Sequence, residues 1–460
     1  MPLERWLIVG GGSLAFAAMV LLLSPGKAAL ALIAASLALT IIRFPLAGLW
    51  LFALLATSIP YTTVRLGIRI TLSEAMLALT WIGTGWQLFV GRRHWVLGLV
   101  ERRMLRLMLY SAVPLFVGQV VIVADGNGWV NWLRWLLNLS CLLLVPLLVE
   151  QDKDRERLLL SLLAGNLLML LLSIGKFMQT HDANGFIPVL ETLRYAHPEA
   201  VKDIFSANYT RMASPWVHPN LTGGALALFI PMAFFYALAR TGWRRVLAVG
   251  VAALGAAGLL LSISRGAIVS LAVVMIWLVH RRTPLMGRIM GVAVALAVAL
   301  VLFYPPLQHR LSTIFSPQNA STQVRLNEYR HFPDAMRQFP LGIGFKTDPP
   351  PPNTNLVGIS NLWLNYIYKL GIPGMLLFVA VVQGWWKECR FGGDYRHLTR
   401  ETAMRAGIHA GLLAALLTGL FDHYYSFTMV LVGLFWLMMG LDLQLARKAR
   451  TPHLTTEGNE

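Results

Sequence analysis

The chain has 460 residues, 56% of them hydrophobic and only 13% charged. Soluble globular domains carry roughly 25% charged residues, so this composition excludes a water-soluble protein and points to a polytopic membrane protein. The net charge of +17 does not call for a nucleic-acid partner, because in such a chain basic residues sort by loop.

Apolar windows predict fourteen membrane helices: near 6–24, 28–42, 46–60, 73–90, 105–123, 129–149, 157–175, 220–239, 246–262, 266–280, 287–304, 361–386, 404–421 and 424–445. The count falls to twelve without the short 28–42 and 46–60, which little more than Arg43-Phe44-Pro45 separates. The first span follows the short leader Met1–Arg5 and lacks a clear small-residue cleavage site, so it reads as a retained helix. Cys141 falls inside a span and Cys389 in a basic loop, a placement that suggests neither a disulfide nor a metal site.

These windows define an all-α transmembrane bundle. Its parts are an N-terminal bundle (1–175), a long loop (176–218), central helices (219–304), a second long loop (305–360), C-terminal helices (361–445) and a tail (446–460). The basic tracts GRRHWVLGLVERR (91–103), EQDKDRER (150–157), RTGWRR (240–245), HRRTPLMGR (280–288), the Lys387–Arg405 loop and RKAR (447–450) fall on one side. The opposite short loops, such as DGNGWVN (125–131), are nearly uncharged. This positive-inside pattern predicts cytoplasmic termini and puts both long loops outside.

The segment LLLSISRGAIVSLAVVMIWLV (259–279) holds one charge, Arg265. From Val246 to Val279 a single helix would run roughly 50 Å, too long for one crossing. Two helices joined by a tight turn at Ser262–Gly266 fit better, and the turn puts Arg265 at the outer interface. In the second long loop, Gln323–Phe339 has helical spacing, with Leu326, Tyr329, Phe332, Met336 and Phe339 as its apolar stripe. Asp348-Pro-Pro-Pro-Pro-Asn353 predicts a stiff, non-helical loop.

Arg211, Arg265 and Arg325 or Arg330 therefore share the outer side. Guanidinium groups meeting there suit a polyanion, since each forks onto phosphate oxygens; singly, such arginines more often snorkel to lipid phosphates. The segments YTRMASPWVHPNLTGGALALFIPMAF (209–234), SISRGAIVSLAVV (262–274), RLNEYRHFPDAMRQFPLGIGF (325–345), SNLWLNYIYKLGIPGMLLF (360–378) and DHYYSFTMVLVGLFWLMMGL (422–441) together resemble the bacterial O-antigen ligase and polymerase superfamily. Members are GT-C-type membrane glycosyltransferases of the bacterial inner membrane. The resemblance implies a polyprenyl-diphosphate-linked glycan donor, a glycan or lipid A-core acceptor, a periplasmic active site, and no metal or cofactor. It also implies that Arg211 and Arg265 contact the donor diphosphate, with Arg325 at the acceptor or diphosphate side. Where the family usually has His-Asn heading the helix after the long loop, this chain has Ser360-Asn361. That departure shifts the expectation from a strict lipid A-core ligase toward a polymerase or exopolysaccharide relative.

With serine in the histidine's place, the candidate proton acceptors are His331, Glu328, Asp334, His218 and His423. His218, before Pro219-Asn220, either caps the next helix or joins the substrate site. Glu328 and His331 share a helix face as a solvated pair or as catalytic groups. Asp422 and His423 form an interfacial pair or bind substrate. Gly223-Gly224 and Gly344 are expected to serve close packing and turns. The competing reading is a lipid-linked oligosaccharide flippase or another transporter, which should carry its arginines inside a central cavity.

Overall fold

The computed structural model describes residues 24–66, 68–95, 97–122, 128–195, 198–207, 209–303, 308, 320–345, 356, 358–390 and 395–450. The predicted helix 6–24 lies outside these but for Ser24, as do the tetraproline loop 348–353 and the tail beyond Arg450. The elements run α1 (Pro25–Arg43), α2 (Pro45–Ser58), a hairpin β1 (Thr63–Leu66) and β2 (Ile68–Thr71), α3 (Leu72–Phe89), α4 (Leu99–Val121), α5 (Gly128–Leu148) and α6 (Asp152–Thr180). Next come α7 (Ile187–Thr192), α8 (Pro198–Ser206), α9 (Pro219–Ala239), α10 (Gly242–Ser262), α11 (Arg265–His280) and α12 (Met286–Phe303). The chain ends with α13 (Ala320–Gln338), α14 (Leu362–Cys389), α15 (Arg400–Thr418), a single turn at Tyr424–Phe427, and α16 (Met429–Arg450).

Eight helices among the described residues are long and apolar enough to cross a membrane, and three shorter apolar ones accompany them. The protein is an all-α multi-pass membrane bundle whose described strands form one small antiparallel hairpin. Helices α9 and α16 lie innermost: 83% and 89% of their apolar windows are buried, against 11% for α1. Helix α9 packs chiefly on α15 and α10.

The helices α1 and α2, predicted to be the weakest, both form, because Pro45 starts α2 where α1 stops at Arg43. Several basic tracts read as loops are helical. The α6 helix begins at Asp152, where Gln151 and Asp154 make a reciprocal cap. The α4 helix begins at Leu99, since buried Glu101 is neutralised by Arg447 at 2.6 Å. Cys389 is the last residue of α14 and fully buried, not part of a basic loop, and both cysteines are free. The mid-span Arg134 pairs at 2.9 Å with Glu74, which is wholly buried and also accepts from Asn138 Nδ2. Removing one member of such a pair costs roughly 3–5 kcal/mol.

The predicted turn between two helices is present: α10 ends at Ser262, Ile263 turns the chain with φ +50°, and α11 starts at Arg265. The loop helix is also present, but its stripe is only half buried. Phe332, Met336 and Phe339 join buried Ala335 against Ile343, Ile359 and Tyr368, whereas Leu326 and Tyr329 are exposed.

The glycine-containing segment after α13 docks into a break in α14. Pro373 has no N–H, so the Lys369 carbonyl lacks its usual partner, and Gly371 departs from helical geometry with φ +70° and ψ 178°. The amides of Gly344 and Ile343 donate to the freed carbonyls of Lys369 and Tyr368, each at 3.0 Å. The GIG segment thus repairs a broken helix.

Candidate functional site

The start of α11 forms one wall of a cleft. Ser264, Arg265, Gly266 and Ala267 line it, and the Ser264 side chain does not cap the helix. A helix N-terminus leaves its first amides without intrahelical partners and carries about half a positive charge, which favours an anion. Ile263 holds the turn in the left-handed region that β-branched residues avoid; burial of its side chain among neighbours stabilises it there.

Arg325 enters the same cleft from the first half of α13, so two guanidinium groups and a helix N-terminus share one space. Asn220, at the start of α9, is a third contributor. Arg211 stands behind Asn220: its Nε donates to the Ser262 carbonyl at 2.6 Å and its NH2 donates to Asn220 Oδ1. Arg211 is almost completely buried, so it joins the loop before α9 to the end of α10. Of the three arginines, Arg265 and Arg325 line the cleft, whereas Arg211 does not and braces its wall through Ser262 and Asn220.

The opposite wall comes from the turn between α15 and α16, through Thr418, Phe421, Asp422 and Tyr424. Asp422 lies 3.9 Å from Arg325 and 3.2 Å from His423 Nδ1, and the Tyr424 hydroxyl donates to it. Burial alone would push its carboxyl pKa up; His423 and the Tyr424 hydroxyl outweigh that and hold it below the usual carboxylate range. The turn itself is clamped from three helices: Tyr425 Oη donates to the Gly224 carbonyl at 2.6 Å, Trp135 Nε1 to the Ser426 carbonyl at 2.9 Å, and Asn365 Nδ2 to Ser426 Oγ at 2.8 Å.

Gly224 makes this close approach possible. A Cβ there would sit 2.6 Å from the Tyr424 ring, and one on Gly223 would sit 2.4 Å from Ser264 Cβ. The glycine pair therefore lets α9 touch both walls of the cleft at once.

Other predicted residues fall outside the cleft. His218 is the N-cap of α9, its Nδ1 accepting from the Asn220 amide at 3.1 Å. Asn361 is the N-cap of α14: its Oδ1 accepts from the Trp363 and Leu364 amides at 3.0 and 3.1 Å, and its Nδ2 donates to the Leu420 carbonyl. Glu328 accepts from the Ser360 amide at 2.8 Å and from its hydroxyl at 3.2 Å. His331 Nδ1 lies 2.8 Å from the Asn327 carbonyl within its own helix. Arg330 and Asp334 are exposed, and Asp334 pairs with Arg337 at 3.2 Å. Sequence reasoning missed Phe421 and Tyr424 as cleft residues; their only signal was the run of aromatics on either side of Asp422.

Residues 250–379 match the family model described as O-antigen ligase. The match includes Arg265, Arg325, Glu328, Ser360 and Asn361; Arg211, Asn220, Asp422 and His423 lie beyond its ends. No curated protein matches the chain. With the multi-pass bundle and the ordered sequence motifs, this match over part of the chain supports the resemblance to the O-antigen ligase and polymerase superfamily.

Proposed function

We propose that this protein is a membrane glycosyltransferase of the O-antigen ligase or polymerase type. It transfers a glycan from a polyprenyl-diphosphate carrier to a sugar hydroxyl at the periplasmic face, without a metal ion. The convergence of Arg265 and Arg325 on the uncapped N-terminus of α11 carries this reading. Two like charges held together in a partly buried cleft favour an anionic ligand, and a diphosphate matches two guanidiniums and a row of amides.

Cleaving the anomeric C–O bond leaves the bonding pair on the polyprenyl diphosphate. Cations fixed in advance stabilise that charge with no reorganisation at the transition state. Asp422 is the resident counter-ion of Arg325, and the donor's phosphate takes over that role on binding. Arg211 is a positioning residue: it fixes Asn220 and the turn that bears Arg265.

His423 is the favoured proton acceptor. Its Nδ1 lies 3.2 Å from Asp422 Oδ1, and its side chain is 41% exposed next to the cleft-lining Asp422, within reach of an acceptor hydroxyl. Glu328 is the weaker choice because two donors from Ser360 already stabilise its carboxylate. His331, Arg330 and Asp334 serve no step in this scheme.

Purified protein in liposomes, given a polyprenyl-diphosphate glycan and a saccharide acceptor, should form extended glycan and release polyprenyl diphosphate. Movement of the donor between leaflets with no transfer would instead establish the flippase reading. In cells lacking the protein, loss of long chains with single repeats retained indicates a polymerase. Loss of all attached glycan indicates a ligase.

A further inference from the structure

We propose that the end of the bundle opposite the arginine cleft holds the phosphate of an anionic phospholipid, in a cavity between α6, the α9–α10 turn and α15. Helix polarity fixes this as the far end: α9 and α15 run between the two, with Asn220 and Thr418 at the cleft and Arg240 and Arg400 here. The cavity measures about 980 Å3 including its open mouth.

Six cationic and three carboxylate side chains line it. The carboxylates are already engaged. Glu156 is shared by Arg240 and Arg244, the latter at 3.2 Å; Asp152 is shared by Arg155 and Lys448, both at 2.7 Å; Glu401 pairs with Lys448 at 3.1 Å. Among the described residues, Lys153 and Arg400 have no carboxylate within ion-pair distance, and both are exposed. The cavity therefore presents an uncompensated positive potential built on a rigid ion-pair frame, which is the recognition chemistry for a phosphodiester.

The rim selects a lipid over free phosphate. Trp243 is 64% exposed beside Arg240, Arg244 and Arg400, and Val246, one turn further along α10, is 72% exposed. A tryptophan with its flank open next to basic groups is the usual furniture of a membrane interface. A lipid whose phosphate enters the basic cavity can lay its acyl chains along the outer side of α10. This site is separate from glycosyl transfer, and its test stands apart from that reading.

The test is native mass spectrometry of the full-length protein in detergent, offered cardiolipin, phosphatidylglycerol and phosphatidylcholine in competition. Wild type should retain the two anionic lipids over phosphatidylcholine. Lys153→Gln and Arg400→Gln should each weaken that preference about fivefold, the effect of one basic group near an anionic lipid surface. Trp243→Ala, which keeps every charge, should weaken lipid retention while leaving unchanged the part of pyrophosphate binding that Lys153→Gln and Arg400→Gln remove. Equal retention of phosphatidylcholine, or variants that elute as wild type yet keep the full preference, would overturn the proposal. So would pyrophosphate binding at the site with no preference among the lipids.

Discussion

Arg325 and Asp422 face each other at 3.9 Å across the cleft, one from the loop helix and the other from the turn between the last two long helices. Segments almost a hundred residues apart in sequence thereby close a single anionic site around Arg265. If Asp422 only balances Arg325 until a phosphate arrives, Asp422→Asn should tighten donor binding and slow product release. The readout is a lowered KM for the donor with kcat reduced. An unchanged KM would show that the carboxylate does not compete for that arginine.

Asp422 also sets a pH dependence. Folding depresses its carboxyl pKa, so the unfolded chain binds the proton more readily. The stabilisation is complete above the ordinary carboxylate pKa of 3.8 and is lost as pH falls through the lower folded value. Thermal melting of wild type should therefore drop more steeply below that pH than melting of Asp422→Asn. Parallel curves for the two proteins would contradict the assignment.

Gly224→Ala puts a methyl group where the Tyr424 ring stands. Overpacking of this kind costs roughly 1–3 kcal/mol. Displacing the ring breaks the hydroxyl contact to Asp422, so transfer activity should fall further than the loss of stability explains. Activity per folded molecule, measured well below the melting temperature, separates the two effects.

Asn361 and His218 are caps in this structure, which yields a contrast with the arginines. Asn361→Ala should cost about 1 kcal/mol of stability, the usual loss for a cap. Asn361→Asp should recover it, and donor KM should stay at the wild-type value in both. A large KM effect in a stable Asn361→Asp variant would restore a substrate role to this residue.

Much of the bundle was legible in sequence because membrane helices announce themselves by apolar length alone. The turn at Arg265 followed from the same arithmetic, since no single crossing accommodates Val246 to Val279. Charged helix ends were not legible. Glu101 and the acidic start of α6 read as loop until their partners, Arg447 and Lys448, are brought to them by tertiary packing. The stripe on α13 failed for a similar reason. Helical period places Leu326 and Tyr329 with Phe332, but the surface that covers Phe332 ends there. His218 and Asn361 looked like chemistry because a polar residue before a helix has the same signature whether it caps or binds. Tyr424 is the reverse case: an aromatic residue at a membrane interface gives no hint that its hydroxyl steadies a carboxylate.

The central claim is that Arg265 and Arg325 hold the departing diphosphate. The direct measurement is glycan transfer by Arg265→Ala, Arg265→Lys and Arg325→Ala proteins in liposomes, at saturating donor. The alanine variants should fold as wild type yet lose roughly 100-fold or more in turnover, as removal of a preorganised transition-state donor does. The lysine variant should fall between them, because it keeps the charge and loses the fork. Wild-type turnover in a folded Arg265→Ala protein would contradict the account.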